Sequence, residues 1–206
     1  MPTLDELIDP GDAGAEEVRR LLAHAVNPVE VFRSDRARGE RALLRVATST
    51  RGLLGAVAYR LGGLVFDHGW LRLLAAGSAR FGRDLAGWNG PASAPRLPGA
   101  LLVGDDVSGG FFALDEGAFG GPRGGAWYQG PDDEGWDALD LDYQGLFEWA
   151  CNGDLDAFYD DVRWPDWEAE VLGVRVDQVL ELSDASGEMK RSRVSIESRW
   201  GKVRSA

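Results

Sequence analysis

ALLVGDDVSGGFFALDEGAFGGPRGGAWYQGPDDEGWDALDLD, residues 100–142, decides the fold class of this chain. Short apolar runs alternate with Gly-, Pro- and Asp-rich breaks: Ala100 to Val103, Gly109 to Leu114, Ala126 to Gln129 and Trp136 to Leu139. Runs of this length between turn formers read as strands, and the short spacing favours an antiparallel meander. Immediately afterwards the apolar period changes. Tyr143, Leu146, Phe147 and Ala150 recur at helical spacing behind Asp142, a good N-terminal cap, and Asn152-Gly153 is a good stop. Asp154 caps a further helix carrying Leu155, Phe158, Tyr159 and Val162, which Trp164-Pro165 breaks; Asp166 can start one more turn.

The N-terminal part reads in the same terms. Thr3 and Glu6 have capping-box spacing, so a short helix opens the chain and Pro10-Gly11 ends it. Val18, Leu21, Leu22 and Ala25 predict an amphipathic helix over 14–25, stopped by Asn27-Pro28. Val29 to Phe32 reads as a strand, and Ser34 or Asp35 caps a helix to about Ala47. Residues 51–61 suit either helix or strand, with Gly62-Gly63 as terminator. Leu64-Val65-Phe66 and Trp70 to Leu73 flank Asp67-His68-Gly69 as a tight hairpin. Residues 77–98 look loop-like, with one helical turn, and Val174 to Leu182 looks β-like. After Ser183 the tail is polar, with Val194, Ile196 and Trp200 as anchors. The expected architecture is a single α+β domain over 1–206: an antiparallel sheet of about five or six strands with helices packed at its N- and C-terminal sides.

Charge is distributed unevenly. Residues 99–170 hold eighteen Asp and Glu against two basic residues, Arg123 and Arg163, and also five of the eight tryptophans. The formal charge of −12 therefore comes from one third of the chain. Clustered carboxylates and amphipathic rings suit an adhesive surface for a basic partner, or a core with a solvated acidic exterior. The balance argues against nucleic-acid binding, which needs Lys and Arg to displace phosphate counterions. Met1 to Pro10 is polar, and no apolar run reaches the length of a membrane span, so no membrane association and a cytoplasmic location are expected. The lone Cys151 excludes an intramolecular disulfide and reads as buried and inert.

Signatures of catalysis are missing. No two glycines have G-x-G spacing, Gly201-Lys202 is followed by Val203, and no G-x-S-x-G occurs. His24 and His68 share no metal-binding spacing, so no metal or cofactor is expected. His68 beside Asp67 suits a general base held by a carboxylate, or a turn residue tolerant of left-handed backbone; the second reading is taken. Asp105-Asp106 suit a cation, but adjacent strand residues point to opposite faces, and Asp with Gly is what a turn requires, so a turn is expected. Asp132-Asp133-Glu134 reads as a solvated hairpin loop.

Several phrases together carry a resemblance: NPVEV at 27–31, GGLVFDHGWL at 62–71, Trp88-Asn89-Gly90, GGFFAL at 109–114, and LDLDYQGLFEWACNGDLDAFY leading to Trp164-Pro165-Asp166-Trp167-Glu168. They resemble an uncharacterised bacterial family, domain of unknown function 2625, over roughly residues 3–172, with a divergent tail over about 183–206. The order of elements is more loosely similar to the Smi1/Knr4-like (SUKH) superfamily, many of whose bacterial members are immunity proteins that neutralise toxins by direct binding. That likeness implies an α+β sheet without catalytic machinery. The expected function is a non-enzymatic protein-binding module of the immunity or regulatory type. A basic toxin is the expected partner, and the contact surface is placed at Asp132, Asp133, Glu134, Trp136, Asp137 and Asp140. The alternatives are a carboxylate-dependent hydrolase using Asp67, His68, Asp105 and Asp106, and a homo-oligomer joined through its tryptophans.

Overall fold

The computed structural model describes residues 2–185 and 188–203. Seven strands form one meander in which each is antiparallel to the next: β1 (Val29–Arg33), β2 (Leu61–Phe66), β3 (Leu71–Leu73), β4 (Ala100–Asp106), β5 (Phe111–Asp115), β6 (Gly125–Gln129) and β7 (Asp137–Asp142). A separate hairpin pairs β8 (Gln178–Ala185) with β9 (Glu188–Ser195). The α+β class holds, but the sheet has more strands than the expected five or six.

Helices occur where the caps put them. Glu6 accepts from the Thr3 N–H at 2.8 Å ahead of α1 (Leu4–Leu7). Ahead of α3 (Arg36–Val46) the Asp35 carboxylate accepts from the Arg38 N–H at 2.9 Å. Asp142 does the same for Gly145 at α6 (Tyr143–Asn152), and Asp154 for Ala157 at α7 (Leu155–Phe158). These bonds satisfy N–H groups that a helix start leaves unpaired. The remaining helices are α2 (Ala13–Ala23), α4 (Leu53–Arg60), α5 (Leu85–Asn89), α8 (Trp167–Val171) and α9 (Ile196–Val203). Residues 51–61 are thus mainly helix.

Gly62-Gly63 does not terminate an element; it lies inside β2. A Cβ on Gly63, whose φ is +142°, would stand 2.6 Å from the Phe81 ring, and one on Gly62 would stand 2.7 Å from the Arg33 carbonyl. The pair lets a ring and a neighbouring strand approach the backbone closely. The turn of the β2–β3 hairpin has Asp67 and His68 at φ of 49° and 56°, the left-handed geometry that matches hairpin twist.

Both sheet faces are covered. On one, Leu64, Phe66, Leu73 and Phe112 meet α4 and α6; Phe66 stands edge-on to Phe147 at 6.1 Å. On the other, cross-strand register aligns Glu30, Val65, Arg72, Asp105, Phe111 and Gln129 in one row. Phe81 and the C-terminal unit cover this face: Phe81 packs on Phe32 at 5.3 Å, Trp200 of α9 on Phe111 at 4.9 Å, and the Leu180 N–H donates to the Val107 carbonyl at 2.7 Å. Within the segment after Ser183, expected only to offer anchors, residues 188–203 form a strand and a helix, with Ile196 and Trp200 buried.

Because β3 is only three residues long, β4 has no strand partner on its β3 side at Leu102, which pairs only with Ala113 of β5. Asn89 supplies one. Its amide donates to the Leu102 carbonyl at 2.8 Å and accepts from the Leu102 N–H at 2.8 Å, while also donating to Leu85 at 2.9 Å. A buried side chain thus stands in for a strand residue, as the demand for pairing of buried backbone groups requires.

Candidate functional site

The row across the second face contains a buried charge cluster. Arg72 and Asp105 are opposite one another in β3 and β4, and are 1% and 0% exposed. Arg72 Nη1 lies 3.3 Å from Asp105, and Arg83 grips both carboxylate oxygens of Asp105 at 2.7 and 3.0 Å. Arg72 otherwise donates to backbone carbonyls, at 2.7 Å to Gln178 and 3.4 Å to Val176. Two guanidinium groups thus share one carboxylate, and Arg72 Nη2 and Arg83 Nε have no hydrogen-bond partner among the described residues. Burial pushes Arg72 below its ordinary pKa, opposed by Asp105 and reinforced by Arg83.

Asp106 faces the opposite way. Its carboxylate accepts from the Ser108 hydroxyl at 2.6 Å, the Gly110 N–H at 2.9 Å and the Tyr128 hydroxyl at 2.8 Å. Burial pushes its pKa up, with these three bonds opposing. The expectation of a turn at Asp105-Asp106 is therefore corrected: both residues end β4, both are fully buried, and they serve separate networks. Strand alternation separates them, so they do not converge on one ion. Among the described residues no group of three or more His, Cys, Asp or Glu is placed to hold a metal.

Beside Arg72 the second face opens into a cleft of about 700 Å³. Glu30, Phe32 and Val65 of the sheet form its floor, and residues 79–82, 171–172 and 174–177 line the rest. His68 also lines it. Its neighbour Asp67 pairs instead with Arg163, which also binds Asp156 and lies against the Trp70 and Trp167 rings at 4.7 and 4.1 Å. The four hydrolase candidates are therefore not gathered in one place: of them, only His68 lines the cleft. His24 is exposed at the end of α2, its Nδ1 2.8 Å from the Arg20 carbonyl. Cys151 is buried, and burial raises its thiol to about 11.

The proposed contact residues gather at the opposite end of the sheet. Asp132, Asp133 and Glu134 occupy the β6–β7 turn, and Asp137 and Asp140 lie on the edge strand β7; all five are exposed. Asp133 accepts from the Gly130 N–H at 2.9 Å and shapes the turn. Trp136 is half-buried against Phe119 at 5.1 Å, which in turn packs on Trp127 at 4.9 Å. Sequence reasoning missed Arg72 and Arg83. The available signal was an arginine inside the apolar run Trp70-Leu71-Arg72-Leu73, which demands a buried acid partner.

A family model described as protein of unknown function DUF2625 matches residues 4–201. The chain belongs to this family. The match includes β8, β9 and most of α9, beyond the region near residue 172 that the quoted phrases cover. The chain is 35% identical over 183 residues to an uncharacterized protein of Haemophilus influenzae, covering 87% of this chain and 80% of that protein. It is 34% identical over 174 residues to the putative uncharacterized protein YbfG of Escherichia coli K12, covering 84% and 79% respectively. No solved structure matches it. Among the described residues no helix is long and apolar enough to cross a membrane.

Proposed function

We propose that this family member is a non-enzymatic protein-binding module of the immunity or regulatory type, docking a basic protein on the β6–β7 edge. The observation that carries the reading is the state of the carboxylates there. Asp132, Glu134, Asp137 and Asp140 are exposed and have no ion-pair partner among the described residues. Acids of the N-terminal third are mostly matched: Asp9 with Arg51, Glu17 with Arg20, Glu30 with Arg80, Glu40 with Arg36. Uncompensated negative charge concentrated at one edge steers a basic partner and raises its association rate. The likeness to Smi1/Knr4-like immunity proteins suggests a toxin as that partner.

A second reading has its own support. β7 is an edge strand, and charged side chains on an edge block pairing with other sheets. The variant Asp132→Lys/Glu134→Lys/Asp137→Lys separates the two, because lysine guards an edge as well as aspartate does. Docking predicts that the variant stays monomeric but loses capture of a basic partner protein. Wild-type capture should also weaken with salt. Unchanged capture at low salt rejects this surface.

A further inference from the structure

The cleft over β1–β3 has an electrostatic remainder. Arg72, Arg80 and Arg175 line it, against Glu30 and Asp177, in a chain whose formal charge is −12. Arg80 pairs with Glu30 at 2.9 Å and Arg175 with Asp177 at 2.9 Å, so these four neutralise one another. Arg72 is left over. Its carboxylate partner, Asp105, has both oxygens engaged by Arg83 at shorter distances, and Arg72 Nη2 is buried without a hydrogen-bond partner among the described residues. Asp106, on the other face of β4, is disfavoured as a compensating anion by its own burial. An uncompensated buried cation and an unmatched donor are both costly. The rest of the lining is largely apolar: Phe32, Val65, Phe81, Val171, Val174 and Val176.

We propose that this cleft binds a small organic monoanion, a carboxylate on an apolar body, with the carboxylate at Arg72 and the body along Val65, Phe32 and Val174. One carboxylate supplies the single charge that the two guanidinium groups lack, and its planar pair of oxygens matches the guanidinium fork. A volume of about 700 Å³ suits a ligand of metabolite size. A phosphate would bring more charge than one unmatched arginine offsets. This inference is independent of the docking reading, because the cleft and the acidic edge occupy opposite ends of the sheet.

The experiment titrates the full chain with octanoate, octyl phosphate and octylamine by calorimetry and by amide chemical shifts. The expected result is saturable binding of octanoate at one site with Kd at or below about 1 mM, weaker octyl phosphate and no octylamine. Arg72→Met removes the donor to the buried Gln178 and Val176 carbonyls and endangers the fold. Val65→Trp instead fills the cleft from its half-buried floor and leaves the ion cluster intact; it should weaken octanoate at least tenfold at an unchanged melting temperature. Arg72→Lys, which keeps charge but not the fork, should weaken it several-fold. The proposal is overturned by non-saturable binding, by equal binding of octylamine, by tighter octyl phosphate, or by a Val65→Trp variant that binds as wild type. The first of these means that a buried water alone satisfies Nη2.

Discussion

Replacing Asn89 by Asp changes one NH₂ group to an oxygen and almost nothing in shape. In the folded chain that NH₂ donates at 2.9 Å to the Leu85 carbonyl and at 2.8 Å to the Leu102 carbonyl, and the residue is 1% exposed. The substitution deletes both donated bonds and sets a carboxylate oxygen against two carbonyl oxygens. Each orphaned buried acceptor costs about 1–3 kcal/mol, so the two together cost about 2–6 kcal/mol before any charge is counted. Burial of the charge adds to this, and a loss of at least about 3 kcal/mol at pH 7 is expected. For a chain of this size that lowers the melting temperature by about 6–12 °C. The pH dependence checks the cause. Burial raises the folded-state pKa of the new carboxyl above its unfolded value of about 3.9. The folded state then holds a proton that the unfolded state releases, so stability relative to wild type improves as pH falls from 7 toward 4. Protonation restores only part of the network, since a single hydroxyl replaces one of the two donors. Urea unfolding of both proteins at several pH values measures this. A loss under about 1 kcal/mol at pH 7, or one that does not shrink on acidification, refutes the role assigned to Asn89.

Asp106→Asn keeps the acceptor for Ser108 and Gly110 and cannot ionise. Because burial raises the pKa of Asp106, wild-type stability falls relative to the variant as pH rises through the window above about 4, and a difference of opposite sign, measured by urea unfolding, rejects the assignment. Trp200→Ala removes the ring that covers Phe111, and should cost about 3–5 kcal/mol in a single cooperative transition. A loss below about 1 kcal/mol by thermal unfolding would mean that α9 is not part of the core.

Local chemistry made much of this fold legible. Caps at Asp35, Asp142 and Asp154 specified helix starts because a carboxylate needs only the next three residues to find its N–H partner. The Asp67-His68-Gly69 turn was legible for the same reason. Gly62-Gly63 was misread because its cause is distant: the Phe81 ring and the Arg33 carbonyl are supplied by other elements. Trp88-Asn89-Gly90 could be noticed as a phrase, but that Asn89 completes β4 depends on how short β3 is. The acidic stretch was legible as a total and not as a surface. Asp105, Asp106 and Asp115 within it are fully buried, and Asp115 spends its carboxylate on the N–H groups of Gly117, Phe119 and Gly121.

Burial therefore divides the charges of this chain into two kinds with different physical behaviour. The carboxylates along β6–β7 sit in water, where salt screens them over about 8–10 Å and a single ion pair contributes little. Under the docking proposal several of them act together, at long range and mainly on the rate of encounter. Arg72, Arg83 and Asp105 sit in the interior, where screening is weak and one unmatched charge dominates its surroundings. The carboxylate proposed for the adjoining cleft is selected by its own charge and by the fit of its oxygens. The sheet keeps the two kinds apart by holding the interior cluster at β3–β4 and the exposed acids at the β7 edge, so salt acts strongly on one and weakly on the other.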